Sequence, residues 1–262
     1  MSETPRSREI GGDTSAGLPQ HRTGHAFAHT PHRSDSRPPQ TPRGARRPGP
    51  GGRPGTIPPV PGRPATLLVA ALCGLLFSLT TWQVLVAGPL LTPDRALSRA
   101  LVRAVPDPVT ERLSDLGNVP VAVPVLVLAM AYAARHGRRA AALAAGLAMA
   151  LVPALVVPLK VWTARPGPLE PWAAGYYPSG HTATAFVAYA GAALLVGPYT
   201  RRPWPAACAL ALTALTAAGL VLRGWHWPLD VLASLLLCTL LLLPVRWAAS
   251  RDRPVRRPAE PE

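Results

Sequence analysis

The sequence is short of cysteine, of acid and of lysine. Cys73, Cys208 and Cys238 are the only cysteines in 262 residues, each sits inside an apolar run, and no C-x-x-C spacing occurs. That speaks against a disulfide framework or a zinc site and leaves each as a small buried hydrophobe. Acidic residues number 13 against 27 basic ones, and Lys160 is the single lysine. Charge is missing altogether from six long stretches after residue 64. Those 198 residues are roughly 59% apolar, above the ~45–50% of globular domains, which argues against a soluble domain.

What is abundant lies at the amino end. Residues 1–64 hold 13 of the 33 prolines and 10 arginines, with 4 acids and 10 apolar residues. They cannot bury enough apolar surface to offset the entropy of ordering, which predicts a disordered, basic Pro/Gly/Arg-rich arm. The arm either lies against anionic headgroups or has no specific partner. His21, His25, His29 and His32 have a helix-like spacing, but Gly24 and Pro31 argue against a helix that would gather them on a metal.

The charge-free stretches are 65–91, 117–134, 140–159, 182–200, 203–222 and 231–245. A spanning helix needs about 20 mainly apolar residues, and helices keep backbone groups paired inside lipid. The reading is all-α: an integral membrane bundle of six transmembrane helices over 65–247, with a tail at 248–262. Arg135, Arg138 and Arg139 fill one connection, Arg201 and Arg202 another, and the tail is arginine-rich. By contrast, the arginines of 92–116 are balanced by Asp94, Asp107, Glu111 and Asp115. The bias predicts both termini in the cytoplasm and the segments 160–181 and 223–230 facing outward. The 92–116 connection reads as one or two short interfacial helices, broken at Pro106 and Pro108.

Ionisable groups kept at membrane depth need a reason, and here they gather in those two outer segments. In the first, Ser179 is a natural N-cap ahead of an apolar helix. Gly180 lets a ligand approach the backbone, and His181 stands in the first turn. In the second, Pro228 suits a first helical position, with His226 just outside and Asp230 one turn on. A carboxylate so placed fixes the imidazole tautomer and leaves the other nitrogen free to attack. Lys160, Arg165 and Arg223 supply positive charge for the equatorial oxygens of a phosphoryl group. Each residue alone has a plain role, such as a snorkelling lysine, a loop arginine or an interfacial tryptophan (Trp162, Trp172, Trp225, Trp227). Two histidine clusters on one membrane face are harder to explain as packing.

These residues resemble the type 2 phosphatidic acid phosphatase family, whose signatures are Lys-x6-Arg-Pro, Pro-Ser-Gly-His and Ser-Arg-x5-His-x3-Asp. The second is present as Pro178-Ser179-Gly180-His181, and the reactive half of the third as His226-x3-Asp230. Across the six-residue spacing from Lys160, Gly167-Pro168 stands where Arg-Pro is expected, and Gly219-Leu220 occupies the Ser-Arg positions. Arg165 and Arg223 are the candidates to replace the two absent arginines. The resemblance implies His226 as nucleophile, Asp230 orienting it and His181 protonating the leaving oxygen. Lys160, Ser179, Gly180, Arg165 and Arg223 would hold the phosphate. It implies no metal or other cofactor and a lipid phosphate or polyprenyl diphosphate substrate, with surrounding lipids but no nucleic acid as partners. Alternatives are a catalytically weak or inactive protein that kept the fold and, less favoured by the membrane domain, a vanadium-dependent haloperoxidase. A transporter fits less well, since no charge lies deep within the apolar runs.

Overall fold

The structure, a computed structural model, describes residues 63–200 and 202–251. The amino-terminal arm with its four histidines, Arg201 and most of the carboxy-terminal tail lie outside the described residues. The described residues form eight α-helices: α1 (Arg63–Leu85), α2 (Leu91–Leu101), α3 (Asp107–Asp115), α4 (Val119–Arg135), α5 (Arg139–Thr163), α6 (Gly180–Val196), α7 (Trp204–Leu222) and α8 (Pro228–Arg251). A short 3₁₀ turn, Gly197–Tyr199, follows α6.

Six segments are long and apolar enough to cross a bilayer, namely Pro64–Leu85, Asp107–Arg135, Arg139–Thr163, Gly180–Tyr199, Trp204–Leu222 and Pro228–Arg251. The protein is a multi-pass membrane protein of six spans. The first ends earlier than the charge-free run, because Gly88 and Pro89 force a turn in which the Gln83 side chain accepts the Leu90 N–H. The second begins earlier, since α3 and α4 follow one another with only a break at 116–118 between them. Pro108 does not interrupt α3 but sits in its first turn, where a missing N–H costs nothing. The last is longer than 231–245 and carries Arg246 inside α8 rather than at its end.

The centre of the bundle is α6. Of its apolar window 56% is buried, against 11% for α1. Its sequence explains why: Ala183, Ala185, Ala188, Gly191 and Ala192 are small on several faces, so α4, α5, α7 and α8 all approach closely. At Gly191 an added Cβ would already lie 3.2 Å from Leu126 Cδ1 of α4. Facing it, Ala122, Ala129, Ala133, Ala141 and Ala145 of α4 and α5 continue the small-residue core. The large apolar side chains point the other way. Leu143, Leu210 and Val161 are 72%, 70% and 76% exposed, a surface that water would not tolerate and hydrocarbon does.

At the end of the bundle away from the two histidine segments, Arg138 is almost wholly buried. Its Nη1 donates to the Leu195 carbonyl (2.6 Å) and its Nη2 to the Ala249 carbonyl (2.8 Å). One guanidinium thereby closes the carboxy-terminal turns of α6 and α8, where carbonyls lack helical partners and the dipole favours a cation.

Candidate active site

The site is built where α5 ends and α6 and α8 begin. After α7, Gly224 turns at φ +74°, and the N–H groups of Trp225 and His226 both return to the Leu220 carbonyl (2.9 and 3.3 Å). That turn leaves His226 just ahead of α8, with its Nδ1 3.3 Å from Asp230 Oδ2. The same oxygen accepts the Trp227 N–H at 3.0 Å, and Oδ1 accepts Arg165 Nη1 at 2.6 Å. An ionised carboxylate can only accept, so the His226 proton resides on Nδ1 and the Nε2 lone pair is left free. Asp230 is fully buried and His226 nearly so.

Arg165 is held on the far side of that carboxylate. Ala164 ends α5 in the left-handed region at φ 43°, which turns the next side chain inward. Its guanidinium joins Asp230 to Asp94 of α2 and lies 5.3 Å from the centre of the Trp227 ring. Asp94 also accepts the Leu229 N–H at 2.9 Å. Burial pushes the Asp94 carboxyl up from its ordinary value, and the Arg165 charge pulls it back. The sequence reading put Arg165 on the phosphate; the structure puts both of its outer nitrogens on carboxylates, outside the cavity lining.

A cavity of about 400 Å³ is lined by Lys160, Ala173, Ala174, Gly175, Tyr176, Gly180, His181 and His226. The two histidines from separate helix starts therefore share one cavity with the chain's only lysine. Lys160 Nζ donates to the Gly175 carbonyl at 2.6 Å, using one of its three protons. A Cβ added at Gly180 would meet nothing within 4 Å, so the start of α6 is open to a ligand. Ser179 is different: its hydroxyl accepts the Thr182 N–H at 3.4 Å and the Thr182 hydroxyl proton at 3.1 Å. It is fully buried and caps α6 rather than lining the cavity. An apolar recess of about 420 Å³, lined by Val157, Val161 and Ala164, adjoins the cavity and shares Lys160, Ala174 and Gly175 with it.

Arg223 ends α7 with Nη1 3.1 Å from Glu111 Oε2 and its guanidinium carbon 4.3 Å from the centre of the Trp225 ring. The pair is within ionic reach but off the hydrogen-bond line, so that nitrogen keeps an unfilled donor direction. Arg223 is not in the cavity lining. The positions where the family signature has Ser-Arg are filled by a helix crossing. A Cβ at Gly219 would lie 2.7 Å from Leu113 Cβ and from the Ser114 nitrogen of α3, and Leu220 is fully buried. Restoring the signature with Gly219→Ser and Leu220→Arg is therefore expected to unfold the α3–α7 contact rather than add a clamp. Thermal melting in detergent should fall by several degrees for the serine alone, and little folded protein should be recovered once an unpaired arginine is buried.

Sequence reasoning missed three contributors. Asp94 read as a loop charge. Asn118, whose Oδ1 lies 2.7 Å from His181 Nε2, carried one signal: it is the only asparagine in the chain. Tyr176 has its ring centre 5.8 Å from that of His226 and donates its hydroxyl to Glu170. Burial and the neighbouring Glu170 push that phenol up to about 12, so it stays protonated. Of the four tryptophans assigned to an interfacial belt, Trp162 and Trp172 are exposed. Trp227 is tied into the site by its indole N–H to the Pro166 carbonyl (2.8 Å). Among the described residues no three His, Cys, Asp or Glu side chains are gathered to hold a metal ion.

No curated protein matches the chain. Among solved structures, it is similar to a transmembrane PAP2 type phosphatidylglycerolphosphate phosphatase from Bacillus subtilis. The TM-score is 0.62 at 21% identity, over 71% of this chain and 98% of that one. At that identity the likeness establishes the fold: six spans in a common arrangement. Residues 141–254, which contain every one of the eight candidate site residues, match the PAP2 superfamily.

Proposed function

We propose that the protein is a lipid phosphate phosphatase working at the outer membrane face through a phosphohistidine. The observation that carries this reading is the shared cavity of His226 and His181, with His226 oriented by Asp230 and Lys160 alongside. His226 Nε2 attacks phosphorus while the bond from phosphorus to the leaving oxygen breaks. His181 gives that oxygen a proton. Water then attacks the phosphohistidine, His181 takes the water's proton, and inorganic phosphate leaves with His226 restored. Lys160 and the open start of α6 hold the phosphoryl oxygens. Arg165 acts one step back, fixing Asp230. Phosphomonoester lipids such as phosphatidic acid, and polyprenyl diphosphates, present their headgroups where this cavity opens. The arginine bias of the connections orients that opening outward, with both termini in the cytoplasm.

A weakly active protein is the second reading, favoured by the carboxylate partners that Arg165 and Arg223 already have. Both readings meet in one assay. Purified protein is given phosphatidic acid, phosphatidylglycerolphosphate and undecaprenyl diphosphate in chelator at several pH values, with His226→Ala beside it. Phosphate release by wild type at least about 10³ times that of the variant is expected for a nucleophile. Equal release on all three lipids would end the first reading in favour of the second.

A further inference from the structure

The break between α3 and α4 is fitted to one imidazole. Asn118 Nδ2 donates to Asp115 Oδ1 at 2.8 Å, and a carboxylate cannot return a donor, so the amide cannot be flipped. Its Oδ1 therefore faces His181 Nε2 at 2.7 Å and, as an acceptor, requires the proton on that nitrogen. The His181 Nδ1 is then the atom available to the cavity. The backbone around the amide is equally constrained. The Tyr189 hydroxyl donates to the Leu116 carbonyl at 2.6 Å, and a Cβ at Gly117 would lie 2.8 Å from the His181 carbonyl oxygen. Gly117 thus closes against the first turn of α6, and Leu116 is tied to Tyr189 further along the same helix.

We propose that Asn118, held by Asp115, is the positioning residue for the acid–base histidine, keeping Nε2–H fixed so that proton transfer runs through Nδ1. The inference rests on the phosphatase reading above. As the His226 Nε2–P bond forms and the P–O bond breaks, the Nδ1 proton of the His181 imidazolium passes to the leaving oxygen. His181 is left neutral with Nε2–H still on Asn118. In the second step Nδ1 takes the proton of the attacking water as the P–N bond breaks. The ionisable groups facing His181 are Lys160 of α5, His226 of the α7–α8 turn and Asp115 of α3. Asn118 is the uncharged link through which the Asp115 carboxylate supports the imidazolium.

The test uses the full chain in detergent with phosphatidic acid, comparing wild type, Asn118→Leu and the exchange Asp115→Asn/Asn118→Asp. Removing a partner of this kind typically costs about 10–100-fold, here expected in kcat with KM within about twofold. The alkaline limb of the pH profile should move down by about one unit in Asn118→Leu, whose imidazolium has lost its acceptor. In the exchange variant, which sets a carboxylate on Nε2–H, the limb should move up while kcat at the optimum stays within a few-fold of wild type. A limb unmoved in both variants, or moved the same way in both, overturns the proposal. The ¹⁵N shifts of labelled histidine, with His181→Gln for assignment, give a readout that needs no turnover. An Nε2–H tautomer in wild type that is lost in Asn118→Leu supports the positioning role even if no lipid is hydrolysed, a result that would sink only the phosphatase reading. An Nδ1–H tautomer overturns the inference whatever the activity.

Discussion

Asp230→Asn is expected to lower kcat by about 10³–10⁴, the scale of an oriented histidine losing its carboxylate partner, while KM for the lipid changes little. The amide fills the same volume but cannot accept both the His226 Nδ1–H and the Arg165 Nη1 proton while presenting a donor of its own. The imidazole is then free to take the other tautomer, which puts its proton where the lone pair must point. KM is spared because Asp230 lies behind His226 and does not line the cavity. A second consequence follows from the arginine. Arg165 keeps Asp94 as its ion partner, so what is lost is one buried charge-assisted hydrogen bond, worth about 1.5–3 kcal/mol. Adding Arg165→Met to Asp230→Asn should lower thermal stability further, because Asp94 is then a buried carboxylate without its cation, and should recover no activity. A single variant that keeps kcat within tenfold of wild type would remove Asp230 from the mechanism.

Arg138→Leu has its effect at the other end of the molecule. Two charge-assisted hydrogen bonds, each worth about 1.5–3 kcal/mol, are lost, and two helix-terminal carbonyls are left without partners. For a domain of this size the fall in Tm should be roughly 10 °C. Arg138→Lys should lie between, because an ammonium keeps the charge but lacks the planar fork that reaches Leu195 and Ala249 together. Melting within about 2 °C of wild type for the leucine variant would show the carbonyls finding water or other donors instead.

The contrast between Arg138 and the apolar runs shows what could be read in advance. Runs such as 140–159 announce a span because hydrocarbon admits little else, and Pro178-Ser179-Gly180-His181 announces a helix start because a cap, a permissive residue and an apolar sequel stand in order. Both signals are local. Arg138 was legible only as one of three arginines in a basic connection, yet its neighbours Arg135 and Arg139 lie near the surface while it turns inward to close two helices 57 and 111 residues away. Arg165 is the same case: its charge was visible, but Asp94, 71 residues distant, decides where it points. Gly219 looked like a lost signature residue and is the seat of a helix crossing. Ser179 and His181 are two residues apart, and local pattern made one a cap, as it is, and put the other in the first turn of the helix. It gave no means of seeing that Asn118, 63 residues earlier, meets His181.

The Asp94–Arg165–Asp230 arrangement has an electrostatic corollary. Asp94 and Asp230 share the single positive charge of Arg165, so that guanidinium has no charge left over for a ligand. Glu111 and Arg223 cancel one another likewise. Of Lys160, Arg165 and Arg223, Lys160 is therefore the one that brings the cavity a charge no carboxylate contact already matches.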